Sequence, residues 1–148
     1  MKRKILFRVD CNKKIGFGHF VRCYNLASLL IKNKCSVTFL IKKDRGNLIF
    51  KNKKINFIFF DKNVTLKKES EHIYYLFKKK NFDRMILDVE HNLFKKKDYE
   101  NYVLGLSSIS SKIICWDNNI TNKIGFGLTY RPYPKFLKLR KQSKKFKI

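Results

Sequence analysis

Between Asp10 and Arg22 the chain reads Asp-Cys-Asn-Lys-Lys-Ile-Gly-Phe-Gly-His-Phe-Val-Arg, which gathers a carboxylate, two glycines, an imidazole and a guanidinium in one short stretch. Gly16 and Gly18 flank Phe17 and carry no Cβ, so the backbone is able to take positive φ there and to let a ligand come close. His19 falls where a helical pattern begins. At a helix's first turn the N–H groups and the macrodipole favour anions and disfavour an imidazolium. A neutral histidine in that setting is suited to act as a general base. Arg22 stands one helical turn later, on the same face as His19. A phosphate or carboxylate contact and an ordinary solvated side chain are both open to it. His19 is therefore the candidate catalytic residue, with Asp10, Gly16, Phe17, Gly18 and Arg22 as candidate substrate contacts.

The same Gly-x-Gly-His spacing also serves plain turn geometry after a first strand. It lacks the third glycine of a dinucleotide fingerprint and the Gly-Lys-Ser/Thr of a triphosphate loop, so a nicotinamide cofactor or ATP is disfavoured and no cofactor is expected. A second carboxylate, Asp88, follows the compact apolar run Met85-Ile86-Leu87 and completes the candidate set. It falls at the carboxyl end of a strand, where open α/β sheets bind ligands; capping or bracing its own loop is the other role open to it. Asp117, at the tip of a later strand, is expected on the same rim, and His91 is a further candidate there. His72 has no nearby catalytic partner and is read as a surface residue. Cys11, Cys23, Cys35 and Cys115 show no Cys-x-x-Cys pair, and the histidines are far apart in sequence, which gives zinc no ligand set. Free thiols are expected, Cys11 being the one that lies beside the site.

These residues need elements to hold them. Ile5-Leu6-Phe7-Arg8-Val9 reads as a buried strand, and Phe20, Cys23, Leu26, Ala27, Leu30 and Ile31 recur at helical spacing after it. Lys32-Asn33-Lys34 breaks that helix. Ser36 to Ile41 is a second strand, Arg45 to Leu48 a turn, Ile55 to Phe60 a third strand, and Asp61-Lys62-Asn63 closes it. A second helix is expected from Lys67 to Lys80, with Ile73, Leu76 and Phe77 on one face. Met85 to Leu87 gives a fourth strand. Tyr99, Tyr102, Val103 and Leu106 give a third helical stripe, and Lys112 to Trp116 gives a fifth strand. Strands alternating with helices argue for an α/β fold: a Rossmann-like three-layer domain with a mainly parallel sheet.

Leu6-Phe7-Arg8-Val9-Asp10 followed by Ile15-Gly16-Phe17-Gly18-His19-Phe20-Val21-Arg22 resembles the N-terminal signature of the UDP-2,4-diacetamido-2,4,6-trideoxy-beta-L-altropyranose hydrolases of pseudaminic acid biosynthesis and of related spore-coat polysaccharide proteins. The resemblance implies the N-terminal half of a two-domain GT-B fold, akin to the transferase that adds N-acetylglucosamine in peptidoglycan synthesis. It implies that His19 assists water in attacking the anomeric carbon of a nucleotide sugar, releasing UDP without a metal. Asp88 matches the family's aspartate at the same edge, where Asp-His-Tyr-Gly is usual and this chain has Asp88-Val89-Glu90-His91-Asn92. Asp117-Asn118 stands where the family commonly has Asp-Asp. Gly125 to Pro132 faintly resembles a Gly-x-x-Tyr-x-x-Leu-Arg segment near the end of the first domain.

With 148 residues the chain has room for about one domain and a real core. A Rossmann-like domain is expected over 1–133, with 134–148 a basic tail or linker stump. On the family's pattern the UDP-binding domain would then be a separate partner, and the chain a truncated or split half. No apolar run approaches the length that spans a bilayer, and the start lacks a signal peptide's apolar core, so a cytoplasmic protein is expected. The formal charge of +24 would ordinarily suggest nucleic acid or another anionic polymer. However, 28 of the 35 basic residues are lysines spread along the chain beside many Asn, Ile and Phe, the mixture that AT-rich codons supply. Nucleic acid is therefore disfavoured as a partner. A glycosyltransferase acceptor domain or a basic binding module remains the alternative.

Overall fold

The computed structural model describes residues 2–11, 17–43, 53–61, 63–89, 96–116 and 128–130. Its strands are β1 (Lys4–Val9), β2 (Ser36–Lys43), β3 (Ile55–Asp61), β4 (Arg84–Asp88), β5 (Ile113–Trp116) and β6 (Leu128–Tyr130). The helices are α1 (Gly18–Lys32), α2 (Leu66–Lys79) and α3 (Lys96–Gly105), with a short 3-10 turn over Ser107–Lys112. The strands form one sheet in the order β3-β2-β1-β4-β5-β6, with every described pair parallel. This is the Rossmann-like domain that the alternating pattern predicts. The three-residue β6 is an addition, lying in the stretch read only for its family likeness.

Parallel strands covered on both faces read as continuous apolar runs, and the alternation of side chains across β1 decides which face each residue serves. Ile5, Phe7, Val9 and Cys11 pack on one side with Phe20, Cys23 and Ala27 of α1. Leu6 packs on the other with Ile73, Leu76 and Phe77 of α2 and with Tyr102 of α3. Phe7 and Phe39 stack at 4.8 Å, pinning β1 to β2 beneath α1.

The helix ends follow from local chemistry. Thr65 caps α2, its hydroxyl accepting from the Lys68 N–H at 3.4 Å, which starts the helix slightly ahead of the apolar stripe. Helix α1 stops when Lys34 turns left-handed (φ 63°), letting the Cys35 N–H reach back to the Leu30 carbonyl at 2.9 Å. Asn81 (φ 52°) ends α2 in the same way, with the Phe82 N–H bonded to the Phe77 carbonyl at 3.1 Å. Gly105 of α3 packs against α2: a Cβ there would collide with the Ser70 side chain. Among the described residues, no helix is long and apolar enough to cross a membrane.

Candidate functional site

The strand order changes direction between β1 and β4, since β1 connects outward to β2 while β4 continues on the other side. A crevice opens at such a switch point, outside the carboxyl ends of the two strands. Asp10 directly follows β1, Asp88 ends β4, and the Asp10 N–H donates to the Asp88 carbonyl at 3.2 Å, joining the two strand ends. Because side chains alternate, Asp88 is turned to the same face as Ile86 and meets α1.

Three side chains of α1 converge on that carboxylate. His19 Nδ1 lies 2.7 Å from Oδ1, Arg22 Nε donates to Oδ2 at 2.6 Å, and the Cys23 thiol donates to Oδ2 at 3.3 Å. A second Arg22 nitrogen, Nη2, also donates to Oδ1. Their spacing explains the convergence, for residues 19, 22 and 23 lie on one face of a helix. A nitrogen 2.7 Å from a carboxylate oxygen needs a proton between them, which places hydrogen on His19 Nδ1. The 3.0 Å approach of Arg22 Nη2 to Nδ1 is then two donors meeting at one oxygen rather than a bond between them. In the neutral ring the basic nitrogen is consequently Nε2.

The electrostatics agree with this geometry. Burial alone would push the Asp88 carboxyl up, but the hydrogen bonds and positive charge from Arg22 and His19 outweigh it and hold the group below its usual value. Burial raises the Cys23 thiol strongly, and the Asp88 charge raises it further, so this sulfur is protonated and not a nucleophile. Burial, with Asp88 again assisting, pushes Cys115 up to about 12. None of the four cysteines is in a disulfide, and three of them, including Cys11, are buried.

The candidate residues fall into distinct places. His19 and Asp88 are brought together, as the shared rim predicts. Arg22 joins them through Asp88. Asp88 itself is fully buried, and its carboxylate is taken up by neighbouring side chains, so it orients the ring from behind. Phe17 caps α1 and is 48% exposed beside the histidine. Gly18 is the first residue of α1 and not a left-handed turn residue, as the sequence allowed. Among the described residues nothing stands within 4 Å of where its Cβ would be, so the entrance beside His19 is open there. Asp10 points away from His19, pairing with Arg8 on the opposite face of the sheet at 2.8 Å. Gly16, His91 and Asp117, together with the turn at 45–48, lie outside the described residues. His72 is exposed on α2.

Sequence reasoning missed a second cluster, below β1. Arg8 is fully buried, and its Nε donates to Glu69 Oε1 at 2.6 Å while Nη1 pairs ionically with Asp10. The Tyr102 hydroxyl donates to the same Glu69 oxygen at 3.1 Å, and the Lys42 ammonium stands 2.8 Å from the other. Burial opposes the Arg8 charge, yet Asp10 and Glu69 overcome it and raise its pKa. The guanidinium also lies 5.2 Å from the centre of the Phe60 ring. The signal was present in Arg8 itself, a charge inside a strand covered on both faces, which requires a buried partner.

A half-open cavity of about 160 Å³ lies on this lower side, walled by Leu40, Phe60, Val64 and Ile73. It is mostly apolar, and its buried carboxylate, Glu69, is already engaged by Arg8, Lys42 and Tyr102. The part-exposed imidazole and guanidinium instead meet a buried carboxylate at the switch point. Among the described residues no cluster of His, Cys, Asp and Glu could hold a metal ion. Comparison with known protein families and with curated proteins gives no match.

Proposed function

We propose that this domain is the sugar-side half of a nucleotide-sugar hydrolase, equivalent to the N-terminal half of a GT-B enzyme, with His19 as general base. The observation that carries the reading is the 2.7 Å contact between His19 Nδ1 and Asp88 at the switch point of the sheet. It fixes the tautomer, orients the ring and leaves Nε2 to take a proton. Water attacks the anomeric carbon as His19 Nε2 removes its proton. The bond from that carbon to the UDP oxygen breaks, and UDP leaves with the electron pair. Asp88 stabilises the imidazolium so formed. Arg22 holds Asp88 ionised and in place, and Phe17 with the open edge at Gly18 forms the lip that admits the sugar.

Much of the driving force in such a reaction comes from gripping the remote nucleotide. In the arrangement that the resemblance implies, a second Rossmann-like domain supplies that grip, on the same chain or separately. The same imidazole would equally activate a sugar hydroxyl, which is the glycosyltransferase reading, and the products separate the two. The test is incubation with a UDP-linked 2,4-diacetamido-trideoxyhexose in ¹⁸O-labelled water, followed by mass spectrometry of UDP and sugar. Unlabelled UDP with a free reducing sugar supports hydrolysis at carbon. Label in UDP places water at phosphorus and contradicts the proposal, and a new glycoside in the presence of an acceptor favours transfer.

A further inference from the structure

Asp88 receives three donors from α1, and the scheme above uses only His19 and Arg22. The third, Cys23, is fully buried among the side chains that α1 sets against the sheet. Its sulfur lies 3.3 Å from Asp88 Oδ2, the oxygen that also accepts from Arg22 Nε. The opposite oxygen, Oδ1, faces His19. Among the described residues, three elements bring groups to Asp88. Helix α1 brings His19, Arg22 and Cys23, while β1 brings the Asp10 N–H to the Asp88 carbonyl, its own carboxylate being turned to Arg8. Strand β5 brings Cys115, a buried thiol that also feels the Asp88 charge.

We propose that Cys23 is a positioning residue whose S–H is a fixed donor to Asp88 Oδ2, and that it thereby sets how strongly Oδ1 holds the Nδ1 proton of His19. The physical reason is that a carboxylate shares one negative charge between two oxygens. A donor on Oδ2 draws charge from Oδ1 and weakens its hold on an imidazolium, so the ring gives up its proton at lower pH. A thiol normally donates weakly. Here burial and the adjoining charge keep it protonated, so toward the carboxylate it acts as the donor, and the acceptor is ionised, which strengthens the bond. Arg22 already anchors the carboxylate, so the thiol adjusts its charge distribution more than its position.

The inference rests on the reading of His19 as the base, because only then does the ring's ionisation set a rate; its readout does not depend on that reading. The experiment is a ¹⁵N NMR titration of the His19 ring in the full chain, assigned with His19→Gln, for the natural protein, Cys23→Ser and Cys23→Ala. In Cys23→Ala the midpoint should rise by about half a unit, roughly 0.7 kcal/mol of altered His-Asp interaction. Cys23→Ser, which keeps a donor, should titrate at or below the natural midpoint. If Cys23→Ala titrates like the natural protein, or both variants shift alike, the thiol only fills space and the proposal is overturned. Should the alanine variant fail to fold, the infrared S–H stretch of the natural protein decides. A band lowered by a carboxylate acceptor supports the proposal, and an unshifted one overturns it. Failure of the hydrolase reading would appear separately, as label in UDP or a new glycoside in the assay above, with the titration shifts intact.

Discussion

Two charged clusters flank the carboxyl ends of the central strands, one on each face of the sheet, and they are built from similar groups toward different ends. Above, Arg22 and His19 meet Asp88; below, Arg8 and Lys42 meet Asp10 and Glu69, with Tyr102 as a further donor. The upper cluster keeps its nitrogen donors near the surface, the His19 and Arg22 side chains being 19% and 25% exposed. The lower one buries Arg8 and Glu69 almost completely. An ion pair sealed from water locks elements together but has no access to a substrate. A carboxylate sealed behind a part-exposed imidazole can influence what that imidazole does to a molecule outside. The two clusters thus differ in access more than in composition, and they are joined by the Asp10 to Asp88 backbone bond.

Breaking the lower cluster should have the largest effect on stability. Arg8→Met leaves Asp10 and Glu69 buried without their shared cation, which costs about 3–5 kcal/mol, measurable as a lower midpoint in urea unfolding. Asp88→Asn in the upper cluster should cost less, about 1–3 kcal/mol, because Arg22 and His19 have solvent to turn to. It should also change the acid response. The Asp88 carboxyl is held below its usual value when folded, so its contribution is complete above the unfolded value of about 4. That contribution is lost as pH falls through the folded value, because the unfolded chain takes up the proton first. Unfolding free energies measured between pH 6 and pH 3 should therefore fall less steeply in Asp88→Asn than in the natural protein. The smallest change is Tyr102→Phe, which leaves Arg8 on Glu69 and removes one donor. About 1 kcal/mol of stability should be lost, with the rate of UDP release unaltered; a loss of activity would mean that the lower cluster has a part in the chemistry.

The elements were legible because their signals are local. Apolar runs marked β1 to β5, and the stripe from Phe20 to Ile31 marked α1. The proximity of His19 and Asp88 also followed, since a β1–α1 turn and the end of a later parallel strand share one rim by topology. The three-residue β6 is too short for periodicity to register. The start of α2 was set by the Thr65 hydroxyl rather than by the apolar stripe. Asp10 was grouped with His19 because the two are near in sequence, but strand alternation sends its carboxylate to the other face. Glu69 looked like one more solvated charge on a lysine-rich helix. Its burial follows from Arg8, 61 residues away, and pairing across that distance leaves no local pattern.

In the proposed reaction His19 removes a proton from the attacking water, so the decisive measurement is the rate of UDP release by the His19→Ala variant at saturating nucleotide sugar. The domain should remain folded, because the ring is part-exposed and Arg22 still holds Asp88. A fall of about 10²–10⁴-fold in kcat is expected, the range a positioned general base contributes. Turnover equal to that of the natural protein would contradict it.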